Sequence, residues 1–318
     1  MNDTTMKPLP LNDKRRSAPR MFIVGLVITL IPSSGMFGFT QKRRSAVKPS
    51  FSYSKAAALL FKEESVTQKE GVLIRDVSYA AYTKDRRIRA YVVRPVGKGP
   101  FAGVLFFHWL GEPNGDRNEF LNEAVELAKR GTVSLLIQGH FPWKIQPTNG
   151  ESDRRLVVNE TIEVRRALDL LLLQHGVDRE RIGFVGHDYG AMYGSILSGI
   201  DKRVKAYVFV AGMGNFGDWS LKYWKGPSAN GADTYMRLMD PVDPINYVSR
   251  AAPANLMFQF SNADKYISRT TADAYYGAAS QPKQVRWYET DHAMNTDAVR
   301  KDRSDWLTRQ LRLSARSQ

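Results

Sequence analysis

The stretch Arg181–Gly190, Arg-Ile-Gly-Phe-Val-Gly-His-Asp-Tyr-Gly, constrains the fold of this 318-residue chain more than any other. Its apolar residues predict a buried strand that ends in Gly-x-Asp-x-Gly, and the residues that follow predict a helix from Tyr189 to Ile200. Glycines two positions before and after Asp188 leave room for a sharp turn, where bulkier side chains would collide with the neighbouring backbone. The pattern therefore predicts a tight strand-to-helix bend that displays Asp188 at the end of a sheet.

The side chain at this bend decides which chemistry is available. Serine is the usual residue there, whereas Asp188 supplies a carboxylate. A carboxylate is unsuited to serine-type acyl transfer, but it attacks an electrophilic carbon and forms a covalent ester. The alternative is a structural role, because aspartate is a favoured N-cap residue and Asp188 immediately precedes the predicted helix.

A nucleophile on such a bend is followed along the chain by an acid and then by a histidine. Of the five histidines, only His292 lies downstream of the bend, between a strand-like run and a C-terminal helix. Asp264 follows a buried strand, and we expect its carboxylate to accept a hydrogen bond from the His292 ring and to orient it. Asp218, Asp240 and Asp243 are rival acids, and capping a turn or helix is the alternative role for Asp264.

Two backbone N–H groups are expected to face the Asp188 carboxyl and to hold negative charge that develops there. Tyr189 begins the predicted helix, so its N–H has no partner within the helix. The second donor is expected from the loop after strand 102–107, where the N–H of Leu110 is the first choice and that of Trp109 the second. These two groups form the predicted oxyanion hole.

Aromatic residues near the predicted site indicate where a substrate binds. The segment 212–246, rich in Gly, Trp and Tyr, predicts a short lid over the pocket. The candidate substrate-binding residues are Trp219 and Tyr223 in the lid, Trp109 in the oxyanion loop, and His140 after the fourth strand. Aromatic side chains there would make an apolar pocket for a small molecule, and plain packing of the lid is the alternative.

Strands and helices alternate along most of the chain. Apolar runs of this length, separated by helices, predict an α/β fold with a mostly parallel, doubly wound sheet and helices on both faces. Ligands of such sheets bind beyond the carboxyl ends of the strands. Asp188, Asp264 and His292 all fall at such ends, which supports their assignment to one site.

Five stretches of the chain match motifs of a known superfamily, namely Gly176–His187, Arg203–Val208, Asp243–Ile245, Asn262–Asp264 and Asp291–Ala293. Through them the chain resembles, from about residue 73 to 313, the α/β-hydrolase superfamily, and most closely its branch of dienelactone hydrolases and related small esterases and peptidases. That branch has serine or cysteine where this chain has Asp188. The sequence Gly-His-Asp-x-Gly instead resembles epoxide hydrolases and dehalogenases of the same superfamily, whose helical cap is longer than the interval 212–254 here.

Together, the residues and the resemblance imply a hydrolase with an Asp188–His292–Asp264 triad. Its expected substrate is a small apolar epoxide, haloalkane or haloacid, which would form a covalent alkyl-enzyme ester. One alternative is an esterase, lactonase or peptidase similar to dienelactone hydrolases, and another is a catalytically silent binding protein with a hydrolase fold. No metal or organic cofactor is required, and the absence of cysteine excludes thiol nucleophiles and thiolate metal sites.

The N-terminal region differs in composition from the rest of the chain. Residues 1–48 carry half of the net charge of +14 and enclose an apolar stretch at 21–40. This pattern predicts a signal peptide or a membrane anchor, hence an exported or membrane-anchored protein whose partner is anionic lipid.

Residues 49–72 are expected to form a linker with a short helix over 54–64, and residues 73–318 are expected to form the catalytic domain. No nucleic-acid motif accompanies the charge, so nucleic acid is not an expected partner.

Overall fold

A computed structural model of the chain describes residues 49–55, 58–83, 85–111, 115–141, 149–223 and 231–314. The basic N-terminal segment, with its apolar stretch 21–40, lies outside the described residues, so the signal peptide or anchor stays a prediction. Within the described ranges, none of the helices has both the length and the apolar character needed to cross a membrane.

In the described part of the chain, nine strands form one sheet in the order β1-β2-β3-β5-β4-β6-β7-β8-β9. The pairs β1–β2, β2–β3 and β3–β5 are antiparallel, and all the other pairs are parallel. The strands are β1 (Lys62–Lys69), β2 (Val72–Ala80), β3 (Arg87–Pro95), β4 (Phe101–Phe107), β5 (Thr132–Ile137), β6 (Val177–His187), β7 (Ala206–Val210), β8 (Asn255–Ser261) and β9 (Lys283–Tyr288).

Helices follow most of the parallel strands and pack on both faces of the sheet. The helices are α1 (Leu121–Ala128), α2 (Gly150–Leu172), α3 (Tyr189–Ile200), α4 (Phe216–Tyr223), α5 (Ala232–Met239), α6 (Ile245–Val248), α7 (Arg269–Ala278) and α8 (Asp297–Leu311). Helices α2 and α3 pack against each other and against the central strands, and α1 packs against α8. Because β4 and β5 are covered in this way, nearly all of their residues are buried. The predicted doubly wound α/β architecture is confirmed.

The start of the sheet differs from the prediction. The short helix expected over 54–64 is wrong, because Lys62–Lys69 form β1, paired antiparallel with β2. All eight residues of β1 are exposed, so no alternation of apolar and polar residues marks them as a strand. The run Ala-Ala-Ala-Leu-Leu before them has a high helix propensity and is the reason for the helix prediction. Backbone pairing with β2 nevertheless makes the following residues a strand. The sheet therefore begins at Lys62 and not at the expected residue 73.

The residues before β1 also belong to the domain and do not form a free linker. Phe51 is buried and packs edge-on against Tyr247, with 5.6 Å between the ring centroids. The hydroxyl of Tyr53 donates a hydrogen bond of 2.6 Å to Asp169 on α2. The stretch 49–55 is thus attached to the sheet domain through both packing and a hydrogen bond.

The described residues between β7 and β8 form the helices α4, α5 and α6. The buried Asp243 accepts hydrogen bonds from the N–H of Phe216 (2.8 Å) and from the amide of Asn215 (3.1 Å), at the beginning of α4. The hydroxyl of Tyr235 on α5 donates to Asp153 on α2 (2.9 Å). Burial raises the pKa of Asp243 to about 7, against these hydrogen bonds. These contacts fix the described part of the segment to the domain.

Close backbone approach explains the glycines of the strand-to-helix bend. A methyl group built on Gly190 would overlap the backbone carbonyl of Phe107 in β4, and one on Gly186 would overlap the backbone of Gly190. Neither neighbour is a flexible side chain that can move aside. The start of α3 therefore lies against β4 only because these positions lack a Cβ atom.

We expect Gly190→Ala to lower the free energy of unfolding by about 3 kcal/mol, because the added methyl must push α3 away from β4. Urea unfolding of the purified protein measures the change. The matched control is Gly277→Ala on α7, where a Cβ atom meets nothing within 4 Å. That control is expected to stabilise the protein by about 0.5–1 kcal/mol, as is usual for replacing a helical glycine. Equal effects of the two variants would contradict the proposed packing.

Candidate active site

Three predicted residues meet beyond the carboxyl ends of neighbouring parallel strands. Asp188 follows β6, Asp264 follows β8, and His292 follows β9. The Nδ1–H of His292 donates to Oδ2 of Asp264 at 2.8 Å, and Nε2 of His292 lies 3.9 Å from Oδ1 of Asp188. All three side chains are nearly inaccessible to solvent. The imidazole thus lies between two carboxylates, as nucleophile–base–acid catalysis requires.

The backbone of Asp188 adopts an unusual conformation. Its φ of 51° and ψ of −113° lie outside the regions that residues with a side chain favour. The bend is held because the N–H of Asp188 donates to Val210 in β7 (2.9 Å) and its carbonyl accepts from Met192 in α3 (3.0 Å). Strain maintained by surrounding hydrogen bonds is typical of functional positions.

The two carboxylate oxygens of Asp188 have different surroundings. Oδ2 accepts a hydrogen bond from the N–H of Leu110 (3.5 Å), and the N–H of Tyr189 also acts to lower the pKa of the carboxyl group. Oδ1 is buried and has no hydrogen-bond partner among the described residues. One oxygen is therefore held by the backbone amide of Leu110, and the other remains available for reaction. Both N–H groups predicted as oxyanion donors contact Asp188.

The orientation of the Leu110 amide is set by His108. The N–H of Gly139 donates to Nε2 of His108 (2.9 Å), so this nitrogen is unprotonated and the ring proton is on Nδ1. Nδ1–H donates in turn to the carbonyl of Trp109 (2.6 Å). The carbonyl of Trp109 and the N–H of Leu110 belong to one planar trans peptide and point in opposite directions. His108 thus turns the Leu110 N–H toward Asp188.

Burial and charge shift the pKa values of the triad. Burial raises the pKa of Asp188, although His292, His187 and the amides of Leu110 and Tyr189 oppose the shift. Burial acts to lower the pKa of His292, but the hydrogen bond to Asp264 and the charge of Asp188 outweigh it, so this pKa is raised. The pKa of Asp264 is lowered, because the contacts with His292 outweigh its burial. Asp264 therefore stays ionised and favours an imidazolium at His292.

Aromatic rings surround His292. The ring centroids of Trp109, Trp219 and Tyr266 lie 5.8, 6.3 and 4.9 Å from that of His292. Trp109 and Trp219, both predicted as substrate-binding residues, therefore reach the triad. Tyr266 was not predicted, although its position two residues after Asp264 is a usable signal. The result is an aromatic wall beside the histidine.

Two other candidate substrate-binding residues lie further from the triad. The ring of Tyr223 lies 4.6 Å from that of Trp219, and its hydroxyl donates to the carbonyl of Tyr266. Tyr223 therefore supports the aromatic wall from behind. His140 is exposed after β5, and its backbone N–H donates to Glu160 (3.0 Å). A role of its ring in substrate binding stays a prediction.

The rival acids are distinguished by their positions. Asp243 is committed to the beginning of α4, as described above, and Asp218 and Asp240 are exposed to solvent. Asp264 instead uses Oδ1 to accept from two backbone N–H groups, those of Tyr266 (2.8 Å) and Ile267 (2.9 Å), and Oδ2 to accept from His292. Its capping of the following turn and its contact with the histidine are thus compatible.

The comparisons with known proteins found similar solved structures but no matching family model or curated protein. An acetyl xylan esterase from Paenibacillus sp. R4 has 20% identity and a TM-score of 0.67, with 80% of this chain and 89% of that chain covered. An acetyl xylan esterase from Thermoanaerobacterium sp. JW/SL YS485 has 14% identity and a TM-score of 0.61, with coverage of 79% and 87%.

A candidate dienelactone hydrolase from Klebsiella pneumoniae has 15% identity and a TM-score of 0.55, with 76% of this chain and 98% of that chain covered. Each of these solved structures matches most of the sheet domain at low sequence identity. Similarity at this level defines architecture and leaves the reaction open. The protein therefore has the α/β-hydrolase fold.

Proposed function

We propose that this protein is a hydrolase that forms a covalent alkyl ester on Asp188 with a small apolar epoxide, haloalkane or haloacid. His292, oriented by Asp264, acts as the base that hydrolyses the ester. The observation that carries the proposal is the asymmetry of the Asp188 carboxylate. Its Oδ2 faces the Leu110 amide, and its Oδ1 is buried without a partner among the described residues, near Nε2 of His292.

In the first step, Oδ1 of Asp188 attacks a substrate carbon. A carbon–oxygen bond forms, and the bond from that carbon to the halogen or to the epoxide oxygen breaks, so that the leaving atom takes the electron pair. A halogen departs as halide, and an opened epoxide oxygen takes up a proton from solvent. The indole N–H of Trp219 is buried with no partner among the described residues, which makes it a candidate donor to the departing group. The product is an alkyl-enzyme ester whose carbonyl oxygen is the former Oδ2.

In the second step, water attacks the carboxyl carbon of Asp188 while Nε2 of His292 accepts its proton. The negative charge develops on the oxygen that faces the N–H groups of Leu110 and Tyr189, which stabilise it. Collapse of the intermediate breaks the bond between that carbon and the alkyl oxygen. The alkyl oxygen takes the proton from His292 and leaves as an alcohol, and Asp188 is left as a carboxylic acid. This acid releases its proton to solvent, which restores the carboxylate.

An esterase or lactonase is the second candidate, and fold similarity favours it over the first. The solved structures reported above include acetyl xylan esterases and a candidate dienelactone hydrolase. Attack of Asp188 on an acyl carbon would give a reactive anhydride, so an esterase of this fold would use Asp188 as a base toward water. Its oxyanion hole would have to bind the substrate carbonyl, at a position that the Asp188 carboxylate now occupies.

A single turnover in oxygen-18 water separates these candidates. Enzyme in excess is mixed with short haloacids, epoxides or aryl esters, and both product and intact protein are analysed by mass spectrometry. Covalent catalysis by Asp188 predicts an unlabelled first alcohol and one oxygen-18 atom in the peptide that contains Asp188. Label in the first product and none in Asp188 would refute it and support the esterase mechanism.

The absence of turnover with all three substrate classes would support a binding protein that has lost catalysis. In that case Asp188→Asn should leave ligand affinity unchanged, because no bond to Asp188 is made. Binding of the same compounds, measured by calorimetry, provides the readout. Loss of affinity in this variant without any turnover would contradict the binding-protein alternative.

The breakdown of the covalent intermediate is expected to depend on pH through His292. The rate should rise with pH, because only the neutral imidazole accepts a proton. The charge of Asp188 helps to raise the pKa of His292 in the free enzyme, and esterification removes that charge. The pH at which the breakdown rate reaches half of its maximum should therefore lie below the pKa of His292 measured by NMR in the free enzyme. A midpoint at or above that pKa would contradict the assigned roles.

We also propose that residues 1–48 direct the protein to a membrane or across it. The proposal is supported by the apolar stretch 21–40 between basic residues. Membrane fractionation of cells expressing the full chain, together with a chain that begins at residue 49, tests it. The full chain should be exported or sediment with membranes, and identical distributions of the two chains would contradict the proposal.

A further inference from the structure

The carboxylate of Glu119, just before α1, connects two loops of the candidate site. Its Oε2 accepts a hydrogen bond from the backbone N–H of Trp109 (3.0 Å), in the loop that presents Leu110. Its Oε1 lies 2.7 Å from Nδ1 of His187, the residue directly before Asp188. The Glu119 side chain is only 15% exposed, and the histidine is fully buried. One largely buried carboxylate therefore holds both the oxyanion loop and the bend.

His187 extends this connection to a third loop. Its Nε2 lies 2.9 Å from the backbone carbonyl of His292. The indole of Trp109 covers the imidazole face, with 5.0 Å between centroids and 9° between planes. The loops that supply Leu110, Asp188 and His292 are thus joined through two side chains, Glu119 and His187.

The partners of His187 restrict where its protons are. A backbone carbonyl only accepts hydrogen bonds, so Nε2 must carry a proton and donate to His292. The contact of Nδ1 with the Glu119 carboxyl also needs a proton between the two atoms. Either His187 is an imidazolium and Glu119 a carboxylate, or His187 is neutral and Glu119 is a protonated acid. The second oxygen of Glu119 accepts from an N–H, which favours the carboxylate.

We propose that Glu119 and His187 form an ion pair that positions the Leu110 amide and His292 around Asp188. Both are positioning residues, and the effect of the pair on turnover rests on the function proposed above. Among the described residues, Asp188 and His292 lie near His187, and Asp116, Glu123, Arg300 and Arg303 line the same pocket as Glu119. The positive charge of His187 lowers the pKa of Asp188 against the effect of burial and so favours the reactive carboxylate.

The charge state is tested by nitrogen NMR of the full chain labelled with [15N]histidine, with signals assigned through a His187→Gln variant. In the wild type at pH 7.5, both ring nitrogens of His187 should show the shifts of protonated nitrogens. In Glu119→Gln, His187 should carry a single ring proton. The control Glu126→Gln removes an exposed charge from α1 and should match the wild type. A neutral His187 in the wild type would overturn the proposal.

The positioning role is tested by hydrogen exchange measured by mass spectrometry. In Glu119→Ala, peptides that cover 108–111 and 291–294 should exchange about tenfold faster, the effect of losing a charge-assisted hydrogen bond. Glu126→Ala should leave both peptides unchanged. Unchanged exchange in Glu119→Ala would overturn the positioning role. If this variant fails to fold, Glu119→Gln provides the same comparison.

The rate effect is measured as formation of the covalent adduct on Asp188. Glu119→Gln should slow this step about 10- to 100-fold, the usual effect of displacing a catalytic group by a fraction of an ångström. An unchanged rate would overturn the positioning role. If the wild type forms no adduct, the proposed function fails, while the NMR and exchange results still decide whether the ion pair holds the three loops.

Discussion

Replacing Asp188 with asparagine is expected to reduce hydrolysis by about 10⁴-fold or more, the usual cost of removing a covalent nucleophile. Asparagine has nearly the same shape, so the bend and the contact with the Leu110 amide should persist. The amide group cannot supply the electron pair that forms the ester bond. The measurement is kcat/KM on the substrate identified by the single-turnover screen, together with the melting temperature of each variant.

The matched control for this substitution is Asp178→Asn. Asp178 lies at the other end of β6, where it is partly exposed and pairs with Arg181 at 2.8 Å. The same chemical change there should leave kcat/KM unchanged. Retention of more than a tenth of the activity in Asp188→Asn would rule out covalent catalysis at this position. Equal losses in both variants would indicate damage to the strand and not to the chemistry.

Replacing His292 with glutamine is expected to stop the reaction after its first step. Attack by Asp188 needs no base, whereas hydrolysis of the ester needs Nε2 of His292 to accept a proton from water. The alkyl-enzyme should therefore accumulate, with a loss of turnover of about 10⁴-fold. Mass spectrometry of the intact protein should show one substrate fragment per chain, and peptide analysis should place it on Asp188.

His175→Gln is the control for this experiment, because His175 is exposed at the far end of α2. It should turn over normally and show no adduct. A variant at His292 that neither turns over nor accumulates an adduct would show that the histidine is needed before any bond to Asp188 forms. That result would favour the esterase candidate, in which His292 and Asp188 act together on water.

The sequence predicted the architecture and the central contacts of the site for identifiable reasons. The strands β4 to β8 each contain an apolar run, and their order along the chain places Asp188 and Asp264 at one edge of the sheet. The Gly-x-Asp-x-Gly spacing marks two positions where the neighbouring backbone leaves room only for glycine. The bend can therefore be recognised from the sequence without knowledge of the tertiary structure. The contact between His292 and Asp264 follows from chain order alone.

Contacts between side chains that are distant in sequence could not be predicted from the apolar pattern or from chain order. Glu119 lies 68 residues from His187, and nothing in its neighbourhood distinguishes it from the other acidic residues of that region. His187 likewise contacts the backbone carbonyl of His292, 105 residues further along the chain. The strand β1 was missed because its hydrogen bonds to β2, and not its side chains, determine its conformation.

The outermost strand β1 also limits how molecules of this protein associate. An unpaired strand edge is a template onto which another chain can add, and natural proteins protect it with charge and irregularity. Lysine and glutamate side chains flank this edge, and the pairing with β2 shifts register between Glu63 and Ser65. A second molecule that added a strand here would meet charged side chains and a break in spacing. In the part of the chain that the structure describes, this edge of the sheet is therefore poorly suited to edge-to-edge growth into fibrils.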